Sequence, residues 1–133
     1  MKKALIIDTS VFLTYIRFNK LYRLINAILD YDLAVSISQE LLNEIERNIS
    51  KLAEIPLDFK EIIDVILENC TLCVIVPSYK QSPDPKDNFL FDLAIQTQSE
   101  IIVTQEKALL SFAESPVKIH DIKWFKENYP VPL

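Results

Sequence analysis

The chain has 133 residues, half of them hydrophobic, with a net charge of −5, one histidine, two cysteines and no glycine. That size and apolar share suit one globular domain spanning residues 1–133 with a core of its own. The missing glycine excludes Walker-type and dinucleotide-type phosphate loops. With His120 the only histidine, Cys70 and Cys73 lack the full ligand set of a structural zinc site.

The opening MKKALIID sets an apolar run after two lysines, but the run stops at Asp8. It is too short for a signal-peptide core or a membrane span, so the chain reads as cytosolic. Residues 4–8 read as a strand closed by Asp8, and Thr9 and Ser10 follow it. Residues 11–29 carry Phe12, Tyr15, Ile16, Leu21, Leu24, Ile25 and Ile28 at helical spacing, as two helices or one bent one. A strand at 33–37 precedes a helix at 39–53 with Leu41, Leu42, Ile45, Ile49 and Leu52 on one stripe. A further helix follows Pro56 over 57–69.

The stretch CTLCVIVP reads as a strand over 72–76. A redox Cys-x-x-C belongs at a helix start, so the two thiols read as reduced and buried or half-buried. The loop PSYKQSPDPKD at 77–87 runs into a helix at 86–98. A strand at 101–104, a helix at 106–113, a strand at 117–120 and a helix at 121–128 complete the chain. Strands alternating with helices predict βαβ crossovers, and so an α/β fold, a three-layer α/β/α sandwich on a mainly parallel sheet. The runs at 72–76 and 101–104 are apolar at successive positions, as in strands covered on both faces.

Ligands of open α/β sheets bind outside the carboxyl ends of the strands. Asp8 ends the first strand there, and Glu106 lies just past Thr104 at the end of the fourth. Asp84 and Asp87 precede a helix that starts on the same edge, and Glu44 sits one turn into the helix after the second strand. Each has a plain structural role as well. Asp8, Thr9 and Ser10 are capping types; Asp84 before Pro85, with Asp87 three residues on, resembles a capping box. Glu106 suits a helix first turn, and Glu44 a solvated face.

Their joint placement is what points to chemistry. Carboxylates crowded on one edge repel one another, and a hard divalent cation, Mg²⁺ or Mn²⁺, relieves this with oxygen ligands alone. Thr9, Ser10 and Thr104 can hold an acid or a substrate phosphate through their hydroxyls. Asp84 and Asn88 stand beside Asp87 as alternates, and Asp92 lies one turn further. Arg17, Lys20 and Arg23, three residues apart, form either a phosphate track or a solvated face. Tyr15, Phe18 and Tyr22 are either base-stacking groups or core.

In order and spacing, IIDTSVFL, SISQELLNEIERNI, DPKDNFLFDLAI and IIVTQEKALL resemble the PIN-domain nucleases. The likeness is greatest to the small bacterial and archaeal toxin components of toxin–antitoxin pairs, and it runs from Lys3 to about Phe125. It implies a Mg²⁺- or Mn²⁺-dependent endoribonuclease that hydrolyses phosphodiester bonds of single-stranded RNA. Asp8, Glu44, Asp87 and Glu106 would be the metal-associated, catalytic carboxylates. Relatives usually read Val-Thr-Gly-Asp where this chain has VTQE, so Gln105 stands at a common Gly and Glu106 at a common Asp. The resemblance further implies a cognate antitoxin protein and a homodimer, with no membrane partner. The tail YPVPL either packs back on the chain or joins an interface. A catalytically degenerate PIN-like binding or regulatory module is the competing reading. A phosphoacceptor receiver domain fits less well, because no Asp ends the third strand at VIVPS.

Overall fold

The computed structural model describes residues 2–52 and 59–132. Five strands form one sheet: β1 (Lys3–Ile7), β2 (Leu33–Ile37), β3 (Thr71–Leu72), β4 (Ile101–Val103) and β5 (Lys118–His120). Their order is β3-β2-β1-β4-β5, and every pairing is parallel. Leu5 pairs with Val35 on one side of β1 and with Ile101 on the other.

The helices are α1 (Thr9–Arg17), α2 (Leu21–Asp30), α3 (Gln39–Ile49), α4 (Phe59–Asn69), α5 (Asn88–Gln96), α6 (Lys107–Leu110) and α7 (Ile122–Asn128). Right-handed crossovers place helices that link strands toward β3 on one face and those that link strands toward β5 on the other. Accordingly α1 packs on α2 and α3, and α2 on α4, while α5 lies against β1, β2 and β4. Leu5, Ile6 and Ile7 are fully buried, as the central strand of a sheet covered on both faces must be. The fold is thus the expected α/β sandwich. Among the described residues no helix is long and apolar enough to cross a membrane.

Three elements differ from the sequence expectation. The strand expected over 72–76 pairs only at Thr71–Leu72, with one further bond from the Cys73 N–H to the Ile37 carbonyl (2.7 Å). Beyond it, the Gln96 side-chain amide takes both Val76 backbone groups, at 2.9 and 2.7 Å. The run is therefore a solvent-facing edge, with Val74 97% exposed, not a strand covered on both faces. The helix expected over 106–113 closes after one turn, because the chain bends at Ser111. The helix expected at 86–98 opens as a 3₁₀ turn at Pro85–Asp87. Residues 53 and 57–58 of two other expected helices lie outside the described residues.

A chain without glycine must end its helices with other residues. Asn19, Asp32 and Gln98 follow the caps of α1, α2 and α5 at φ of 55°, 51° and 57°. After α5 the Ser99 N–H reaches the Ala94 carbonyl (2.8 Å) and the Gln98 N–H the Ile95 carbonyl (3.2 Å), a Schellman closure. Asn and Asp tolerate this left-handed conformation better than Gln does. Gln98→Gly is expected to raise stability by about 0.5–1 kcal/mol, the relief of the left-handed strain less the entropy that glycine loses. The midpoint of chemical unfolding measures it.

Candidate metal centre

The direction of strand addition reverses between β1 and β4, and the crevice beyond their carboxyl ends is where such sheets bind ligands. Asp8 sits in it, 1% exposed. Its N–H continues the ladder to the Val103 carbonyl (2.9 Å), and its carbonyl accepts from Val11 and Phe12. Its carboxylate also caps α1: Oδ1 accepts from the Thr9 N–H at 2.8 Å. Oδ2 accepts from the hydroxyls of Ser10 (2.9 Å) and Thr104 (2.8 Å). Both of those hydroxyls in turn accept from the loop after β4, Ser10 from the Gln105 N–H and Thr104 from the Glu106 N–H, each at 3.0 Å. The Gln105 side chain extends the tie, accepting from the Ile122 N–H at 3.2 Å.

This network answers the Gly-to-Gln departure. Gln105 is not among the positive-φ residues and Glu106 is extended (φ −77°, ψ 121°), so the loop does not require a glycine. Its backbone is held by the two hydroxyls instead.

Glu44 is half-buried on α3 and accepts from the Thr9 hydroxyl at 3.0 Å. Asp87 is buried at the start of α5 and makes no capping bond with its side chain, so the capping-box role expected for it is not used. Its carboxyl lies near enough to that of Glu106 for each to affect the other's hold on its proton. The alternates do other work. Asp84 caps the 3₁₀ turn through the Lys86 N–H (3.0 Å) and pairs with the Lys86 ammonium (3.7 Å). Asn88 accepts from the Ser82 N–H at 3.0 Å. Asp92 is buried and accepts from the N–H groups of Ser78 and Tyr79 at 2.8–3.2 Å, which anchors the loop that carries Asp87. Asp92→Ala strands those donors and is expected to cost about 1.5–3 kcal/mol, the range for hydrogen bonds to a charged group. Thermal melts test it.

Burial first, and neighbouring charge second, hold the four acids above their usual ranges. Burial raises the Asp8 carboxyl above its usual range, the Asp87 charge adds to this, and the Thr104, Ser10 and Thr9 donors oppose it. Burial also raises Glu44, helped by Asp8 and Asp87 and opposed by Thr9 and Arg47. Asp87 is raised by burial and Asp84, with Glu106 and Lys86 opposing. Glu106 is pushed up to about 8 by burial, by the neighbouring Asp87 carboxyl and by the charges of Asp8 and Glu44. Arg47, one turn after Glu44 on α3, lies outside the residues that the sequence singles out; the spacing of the pair is its only sequence signal.

Such a donor set, all oxygen and short of positive charge, fits a hard divalent cation. Among the described residues no three metal-binding side chains stand close enough to cage a bare ion. The set therefore suits a cation that keeps several waters and takes few carboxylates directly.

A search of curated protein sequences yields no match. Among solved structures the chain is similar to the PIN domain of T. brucei RRP44, with 13% identity, 96% of this chain and 81% of that one covered, and a TM-score of 0.47. A family model described as PIN domain matches residues 4–108, which include Asp8, Glu44, Asp87 and Glu106. PIN domains are generally nucleases and typically use divalent metals. With most of its length matched, this chain belongs to the PIN-domain family.

Proposed function

We propose that the chain is a toxin-type, metal-dependent endoribonuclease that hydrolyses phosphodiester bonds of single-stranded RNA at Asp8, Glu44, Asp87 and Glu106. What supports this reading is that Asp8, Glu44, Asp87 and Glu106, from separate segments, act on one another's charge, and that each is held above its usual range. A bound Mg²⁺ or Mn²⁺ supplies a more acidic water and neutralises charge at the scissile phosphate. The chain's own part is to position. Three donors fix the Asp8 carboxylate, and the Thr9 hydroxyl orients Glu44. Asp87, with Glu106 beside it keeping its own proton up to about pH 8, would be the carboxylate left to take up the proton that the attacking water releases.

A nuclease of this type implies a cognate antitoxin protein that covers the acids, and a homodimer as the working form. The degenerate-module reading has its own support in the lack of a preformed ion cage among the described residues. Cleavage of end-labelled single-stranded and duplex RNA and DNA, with Mn²⁺, Mg²⁺ or EDTA, separates the two. Metal-dependent cutting of single-stranded RNA is expected. No cutting, together with no Mn²⁺-induced rise in melting temperature, leaves the binding module.

A further inference from the structure

From Ser10, whose hydroxyl donates to Asp8, three small pockets run end to end away from the acids. The first, about 150 Å³, follows α1 past Thr14, Arg17 and Phe18. The second, also about 150 Å³, shares Thr14 and Phe18 with it and brings in Lys20, Arg23 and Lys126. The third, about 140 Å³, shares Tyr15, Arg23 and Lys126 with the second and ends at Tyr129 and Val131. Together they form a groove where α7 packs near the α1–α2 turn.

Its charge is opposite to that of the molecule. The chain carries 19 acidic and 14 basic residues, yet no carboxylate lines any of the three pockets. Arg17, Lys20, Arg23 and Lys126 all line them, and no ion pair forms on any of these cations among the described residues. Arg23 and Lys126 line the same two pockets, with the Lys126 ammonium 5.7 Å from the centre of the Tyr15 ring, so an anion seated there meets two cations. A groove of this length and sign suits successive phosphates better than one small anion. Phe18 and Tyr22, 64% and 57% exposed on either side of the α1–α2 turn, offer faces on which unpaired bases can stack.

We infer that this groove seats the single-stranded RNA segment beside the scissile bond, with its phosphates on Arg17, Lys20, Arg23 and Lys126 and a base against Phe18. The inference rests on the nuclease reading and gives it a direction: the strand leaves the acids past Ser10 and runs along α1 toward α7.

The test is binding of a labelled single-stranded RNA in EDTA across a salt series. Proteins compared are wild type, Arg23→Gln/Lys126→Gln, the fully surface pair Arg17→Gln/Lys20→Gln, and a control. The control is Lys2→Gln/Lys3→Gln, whose lysines pair with Asp32 and Glu100 at the far edge of the sheet. Each groove variant is expected to weaken binding and to lower the slope of log affinity against log salt by about 0.7 per cation removed. The control leaves both unchanged. With Mn²⁺, the groove variants raise KM for RNA, keep kcat, and hydrolyse bis(p-nitrophenyl) phosphate at the wild-type rate, because so small a diester reaches only the acids. Equal affinity and slope in wild type and both groove variants overturns the inference. So does absence of RNA binding by wild type, or tighter binding of duplex than of single strand. Groove-dependent RNA binding without hydrolysis of any diester supports the groove and removes the nuclease reading.

Discussion

Asp8→Asn is expected to lower metal-dependent RNA cleavage by at least about 10²-fold, the scale of losing one charged group from a hydrolytic centre, while the protein stays folded. The amide oxygen still accepts from the Thr9 N–H at the α1 cap, so the helix keeps its start, and the Ser10 and Thr104 hydroxyls turn to accept from the amide nitrogen that replaces Oδ2. What disappears is the buried negative charge, already costly enough that the carboxyl sits above its usual range. The metal-free variant is therefore close to wild type in stability at neutral pH, with relief of the buried charge offsetting the two hydroxyl bonds lost from Oδ2. Asp8→Ala behaves differently, because it leaves the Thr9 N–H and the Ser10 and Thr104 hydroxyls without their acceptor. That costs about 1–3 kcal/mol and loosens the loop carrying Glu106. Cleavage assays and melts on the three proteins distinguish a lost charge from a lost fold. Full cleavage by Asp8→Asn removes Asp8 from the site.

The second large effect is a coupling of stability, pH and metal. All four carboxyls bind their protons more tightly in the folded chain than in the unfolded one. Their contribution to stability is thus complete below about pH 4, where the unfolded carboxyls also hold protons. It is lost progressively as pH rises through the folded values, about 8 in the case of Glu106. In EDTA the melting temperature contributed by this cluster should therefore fall from about pH 4 to about pH 8. A divalent cation pairs with the charged forms, so the Mn²⁺-induced rise should be small in acid and grow across the same window. Glu106→Gln flattens the upper part of the EDTA profile. A Mn²⁺ effect independent of pH would place the cation elsewhere.

The fold was legible where the chain's own pattern decides it. β1, β2 and β4 are mostly apolar runs bounded by polar residues, and the helices between them carry stripes that the sheet buries. Asp8 was legible for a similar reason, since a carboxylate ending a buried strand has few places to go. The 72–76 run misled because hydrophobicity records what could be buried, not which strand lies at the edge; only the sheet order puts β3 there. The Ser10 and Thr104 bridges from Asp8 to the loop after β4 join residues far apart in the chain. No local signal announces such bonds. The unpaired cations behaved in the same way: spacing suggested Arg17, Lys20 and Arg23, but Lys126 joins them only through the packing of α7.

The claim that these acids form one divalent-cation site is tested most directly by calorimetric titration of Mn²⁺ into metal-free wild type and the Asp8→Asn, Glu44→Gln, Asp87→Asn and Glu106→Gln variants at neutral pH. The account predicts saturable binding by wild type that releases protons from the cluster. It further predicts that binding is lost in Asp8→Asn and weakened in each of the others. No binding by wild type, or wild-type affinity in all four variants, contradicts it.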